Sequence, residues 1–193
     1  MTHKRLAIGA LVAIAALAAC GSDDDKSDST PATPLPATTK PGNPVVNVTA
    51  SDYSFAGIPA TVQPGTVFSM TNASTKEVHE MVVVRLPDNV KEPIAELLAL
   101  PEEELNKKVP DTEPSTVIVA LPGQPGRPVE GDGVITEPGR YAVVCFIPVG
   151  ADPKLVEAQM SAPPGTGEEG EPPDLGDGPP HFTKGMSAEF TVG

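Results

Sequence analysis

The stretch "EPGRYAVVCFIP", residues 137–148, decides how the chain is read. A Pro-Gly turn leads into alternation that places Tyr141, Val143 and Cys145 on one face, the period-two pattern of a strand half-buried in a sheet. Similar runs flank it. "VVNVTASDYSF" (45–55) reads as one strand, and "IPATVQPGTVFSMTN" (58–72) as a strand, a turn at "QPG" and a second strand. "HEMVVVRL" (79–86), "STVIVALPG" (115–123) and "MSAEFTV" (186–192) add three more. Between them, "DNVKEPIAELLALPEEELNKKV" (88–109) changes period, with Ile94, Leu97, Leu98 and Leu105 near helical spacing, and predicts two short helices. The runs "GQPGRPVEGDG" (123–133) and 149–180 carry no convincing strand and read as loops, with Asp152–Pro179 expected to add little to the core. With 24 prolines and 18 glycines among 193 residues, the composition suits an all-β domain with long Gly/Pro-rich loops and a short helical insertion.

The N-terminus sets the compartment. "MTHKRLAIGALVAIAALAAC" has a basic start, an apolar run too short to span a bilayer comfortably, and small residues before Cys20, so residues 1–19 read as a secretory signal. "LAAC" before Gly21 resembles the bacterial lipobox. That resemblance makes Cys20 the first mature residue, carrying a diacylglycerol and palmitate-type acyl chains that tether the protein to the outer face of the cell membrane. Residues 20–44, rich in Ser, Thr, Pro and Asp, read as a disordered linker, and 45–193 as a single domain. Net charge is −13, and −15 once Lys4 and Arg5 leave with the signal. That acidity argues against nucleic acid as a partner; acidic patches such as "PEEE" (101–104) and "EEGE" (168–171) read as solvated surface, with docking of a basic redox protein as the alternative. The domain is expected to act as a monomer.

Scarcity then isolates the chemistry. With Cys20 assigned to lipid, Cys145 is a lone thiol in an oxidising compartment, with no partner for a structural disulfide. Only two histidines remain in the mature chain: His79 heads a strand, and His181 stands five positions before Met186, ahead of the last strand. Taken singly, each has an ordinary reading: Cys145 as a small buried hydrophobe, His79 as an edge histidine, Met186 as core filling. Together, two imidazoles, a thiolate and a distant thioether are the donor set of a blue-copper electron-transfer centre, in which Cys and His define a trigonal plane and Met is a weak axial ligand.

The segments "QPGTVFSMTN" before His79, "GRYAVVC" up to Cys145 and the His-x4-Met spacing of "HFTKGM" resemble the cupredoxin (plastocyanin/azurin) family across most of 45–193. The resemblance implies a Greek-key β-sandwich and one type-1-like copper ion held by His79, Cys145, His181 and Met186. It also implies a one-electron carrier without enzymatic activity. Copper delivery or sequestration, and a metal-free binding or assembly module on the same fold, are the alternative functions. Two features depart from the family: the cysteine and second histidine are usually only a few residues apart, whereas 146–180 intervenes here, and Glu80 stands where an asparagine often follows the first histidine. An insertion of that kind can be extruded as a surface flap, because lengthening a flexible loop adds little closure entropy.

Overall fold

The computed structural model describes residues 42–110, 113–161 and 175–193. The signal segment 1–19, the lipidation candidate Cys20 and the linker up to residue 41 lie outside the described residues. So does 162–174, which includes the acidic run at 168–171.

Among the described residues, ten strands form two sheets: β1 (Val45–Ser51), β2 (Ser54–Ala56), β3 (Thr61–Val62), β4 (Thr66–Asn72), β5 (His79–Arg85), β6 (Thr116–Ala120), β7 (Arg127–Glu130), β8 (Val134–Ile135), β9 (Gly139–Val144) and β10 (Ser187–Val192). One sheet has the order β2-β1-β4-β8, the other β3-β10-β9-β5-β6-β7. The pairs β1/β4 and β3/β10 are parallel and the others antiparallel. The chain crosses between the sheets at β2–β3, β3–β4, β4–β5, β7–β8 and β8–β9, giving the expected β-sandwich.

The alternation read from sequence fills the space between the sheets. Val48, Phe68 and Met70 from one sheet meet Met81, Val83, Ile118, Tyr141, Val143 and Phe190 from the other, all buried. Phe68 and Phe190 touch across the interface with ring centroids 4.8 Å apart, and Tyr141 stacks on Phe190 at 5.2 Å. Burying each such side chain contributes about 1.5–3 kcal/mol.

β9 is apolar on both faces because both are covered. Its inward residues join the sandwich core, while Ala142 and Val144 pack outward under the helical excursion, where α1 (Ile94–Leu97) and α2 (Glu102–Lys108) form as expected. Leu86, Val90, Ile94 and Leu97 complete this second core. Arg140 fastens the excursion to the sheet. Its guanidinium donates to the carbonyls of Val90 (3.1 Å) and Glu92, and its Nη2 pairs with Glu189 of β10 at 2.7 Å.

Three expectations need correction. The run 45–55 is not one strand but a hairpin, with Ser51 opposite Ser54 and Asp52–Tyr53 as its turn. Tyr53 takes a φ of 62°, at a turn position normally given to Gly or Asn, so no turn signal was written there. The stretch 123–133 contains β7, an exposed edge strand whose Pro128 is tolerated because edges need fewer ladder donors. Residues 153–161 form α3 (Pro153–Ser161), whose Val156 is buried in the main core, with Met160 and Leu175 packed against that core. That part of the insertion is packed structure rather than a loop.

Candidate metal centre

Three elements bring the rare side chains together at one end of the sandwich. His79 opens β5, opposite Ala120 of β6. The polar loop before it is fixed by Asn72, which is 1 % exposed. Its amide donates to the carbonyls of Glu77 (2.8 Å) and Ala120 (3.0 Å) and accepts from the Ser74 N–H at 2.8 Å, while Ser74 Oγ accepts from the N–H of Glu77 at 2.9 Å. Every polar atom that ties down the approach to His79 thus finds a partner, as burial requires.

Cys145 follows β9 directly. The insertion after it is closed at its base by backbone hydrogen bonds. Phe182 N–H donates to Cys145 O (3.0 Å), His181 N–H to Ile147 O (2.9 Å) and Val149 N–H to Pro179 O (3.0 Å). Gly178 sits so near that a β-carbon there would clash with the backbone of Val149, so only glycine fits the pinch. The ends of the insertion therefore converge as expected, and His181 reaches Cys145 despite the chain between them. A 3-10 turn, His181–Lys184, ends at Gly185 in the left-handed region (φ 98°), which turns the chain into β10 and delivers Met186.

The donors face one another. His79 Nδ1 and His181 Nδ1 are 3.1 Å apart, and Cys145 Sγ is 3.4 Å from His181 Nδ1. One ligand atom from each residue lies within 4.8 Å of the others, and all three residues are fully buried. Sγ also accepts the Glu80 N–H at 3.4 Å, and the Glu80 carboxylate accepts the Phe146 N–H at 2.9 Å, tying the two ligand strands together. Met186 is fully buried in the same core. Its carbonyl accepts from Cys145 N–H at 3.3 Å and its N–H donates to His181 O at 3.2 Å, so its backbone adjoins two of the three donor residues.

Burial governs the electrostatics. It depresses His79 to about 4, helped by the neighbouring His181 and opposed by Asp52 and Glu77. His181 is lowered by the same burial, against the charges of Glu77 and Asp52. Burial pushes the Cys145 thiol up to about 12, although the N–H groups of Glu80 and Ile147 favour its thiolate. At neutral pH both imidazoles are uncharged with lone pairs to offer, and the thiol holds its proton. Among the described residues, the buried His79 Nε2 and His181 Nε2 have no hydrogen-bond partner of good geometry; the latter lies 3.3 Å from Glu77 Oε2.

This donor set fits copper. Its two imidazole nitrogens and one sulfur are buried and face one another within 4.8 Å, close enough to share a single ion. A soft thiolate with two borderline nitrogens matches the preferences of Cu(I) and Cu(II). His79, Cys145 and His181 can form a type-1-like copper site, with copper as the cofactor. Glu77, Asn72 and Tyr53 are neighbours that sequence reading missed, while Glu80 was noted there only as a departure after the first histidine. Glu77 alone carried a signal, as the one acid in the loop "ASTKEV" before His79.

No family model matches the chain, and no curated relative matches it. Among solved structures it is similar to a dithionite-reduced auracyanin from the photosynthetic bacterium Roseiflexus castenholzii, at 16 % identity over 79 % of this chain and 99 % of that one, TM-score 0.41. It is similar also to auracyanin B, at 18 % identity over 81 % and 93 % of the two chains, TM-score 0.40. A third similar structure is auracyanin A, described as a "blue" copper protein from the green thermophilic photosynthetic bacterium Chloroflexus aurantiacus, at 16 % identity over 79 % and 100 %, TM-score 0.40. The chain is thus a two-sheet β-sandwich with His79, Cys145 and His181 gathered at one end.

Proposed function

We propose that the protein is a copper-binding one-electron carrier, held at the extracytoplasmic face of the membrane by a lipid on Cys20, in which His79, Cys145 and His181, together with Met186, would hold the copper. The convergence of three fully buried donors carries the reading. When bound, copper supplies one-electron chemistry by alternating between Cu(I) and Cu(II).

The chain's own part is to hold the donors still and keep water out. Strand ends fix two of them, the closed base of the insertion fixes the third, and the shared core excludes solvent. A prearranged site of this kind limits the movement needed between oxidation states. Full burial also favours a resident cofactor over cargo: delivery to another protein needs ligands that an acceptor can reach, and none of the three is exposed. It favours a carrier over an enzyme for the same reason, since a substrate would have no open position. The acidic first turn of α2 (Glu102, Glu103, Glu104) suits a basic redox partner, and the protein would meet it as a monomer. Among the described residues no helix is long and apolar enough to cross a membrane.

Titration with Cu(II), followed by visible absorption and native mass spectrometry, tests the reading. One copper per chain and an intense thiolate charge-transfer band are expected, the band being lost in Cys145→Ser. Met186→Leu should keep copper and colour and raise the reduction potential. Stoichiometric copper without colour would favour a storage or delivery role. No copper at all would leave a metal-free module.

A further inference from the structure

Tyr53 stands in the wrong conformation for its type. It is the one residue other than glycine with positive φ among the described residues, at 62°, in a two-residue turn where Gly or Asn carries no steric penalty. For a bulky side chain this is a genuine outlier, and such strain persists only where the surroundings enforce it. What Tyr53 gains is contact with the metal centre. Its half-buried ring packs on the main core and meets the His181 ring edge-on, with centroids 5.1 Å apart. Glu77 approaches the same imidazole at Nε2, and the Gly150 N–H anchors that carboxylate at 2.9 Å.

The result is a histidine with no exposed surface although it lies beyond the insertion, in a turn at the end of the sandwich. We propose that Tyr53 is a shielding residue: its ring closes the outer edge of His181 against water and external ligands, and the strained turn exists to put it there. Local backbone preference and residue identity disagree at this position, and the contact with His181 is what resolves the conflict. The shield is a property of the polypeptide itself. Only its consequence for bound copper rests on the proposed function.

Two measurements test it. In the metal-free protein, carbethoxylation of histidine by diethyl pyrocarbonate, mapped by peptide mass spectrometry, reports access to each ring. His181 should react slowly in the wild type and in Tyr53→Phe, which keeps the ring. In Tyr53→Gly, which suits the turn but opens the cover, it should react about tenfold faster or more, as a local opening would allow. His79 should stay slow in all three proteins. Tyr53→Asn, also at home in the left-handed region, should repeat the Gly result. An unchanged His181 rate in Tyr53→Gly, or equal acceleration of both histidines, overturns the proposal, the second outcome being general loosening rather than a lifted cover. In the copper-loaded protein, added imidazole should change the visible spectrum of Tyr53→Gly saturably and leave the wild type unaffected; a loaded variant indifferent to imidazole overturns the shield equally. Should the protein take up no copper, the proposed function fails and the metal-free measurement alone decides the shield.

Discussion

Loading the metal-free protein with Cu(II) near pH 7 should release one proton per copper, and that proton should come from Cys145. The count follows from the burial of the three donors. The thiol, raised to about 12, enters the reaction protonated, whereas His79, lowered to about 4, and His181, also lowered, enter as free bases. Ionising a group with a pKa of about 12 at pH 7 costs roughly 7 kcal/mol, which the copper–thiolate bond must offset before any net affinity is seen. Apparent affinity should therefore climb about tenfold per pH unit from pH 6.5 to 8, a slope of one proton. Below that range the count should rise as protons begin to compete for the imidazoles. Titration calorimetry in buffers of different ionisation enthalpy reads the number directly, with Cys145→Ser expected to release none. A release near zero in the wild type would mean that the thiolate exists beforehand or is not a ligand. A release of two or three would mean charged imidazoles. Either result refutes the account of burial as the controlling force.

Without metal, stability should fall with acid. The folded-state value of His79 is depressed, so its contribution is complete above its unfolded value near 6.5 and is lost as pH drops toward about 4, by roughly 3 kcal/mol in all. Urea midpoints between pH 7.5 and 5 should show the decline, and His79→Gln should flatten it. Leu97→Ala, at a fully buried position under the helical excursion, should cost about 2–5 kcal/mol in urea unfolding. A loss below about 0.5 kcal/mol, the range of neutral surface changes, would show that the second core contributes little. Cys20→Ala should abolish incorporation of labelled fatty acid in the producing cell while the released domain keeps its fold by circular dichroism; continued labelling would place the anchor elsewhere.

What could be read from sequence is what side chains encode. Alternation in 66–72, 79–85 and 187–192 gave strands because one face of each is buried, and the change of period after Asp88 gave helices because they cover β9 from outside. His79, Cys145 and His181 stood out by rarity and position, and the structure brings them within reach of one ion. Other features carry no such mark. The pinch that unites Cys145 with His181 is made of backbone N–H and carbonyl groups from 145–149 and 179–182, and the one residue type it demands, Gly178, is hidden in a run already rich in Gly and Pro. The 45–55 hairpin was hidden because Tyr53 occupies a glycine-like turn for the sake of a contact distant in sequence. The helix 153–161 has Val156 as its single buried residue, too little apolar pattern to stand out in a proline-rich run.

The double covering of β9 bears on how the domain comes apart. A strand with hydrogen-bonded neighbours on both edges and apolar layers on both faces cannot fray alone; its amides exchange with solvent only when both cores give way together. Cys145 is attached to the end of that strand, so on warming the thiol is expected to keep its place after the hairpin, the edge strand β7 and the helices have begun to open. The slowest-exchanging amides should then be those of residues 141–144, and the sulfur that follows them would be among the last groups in the domain to meet water.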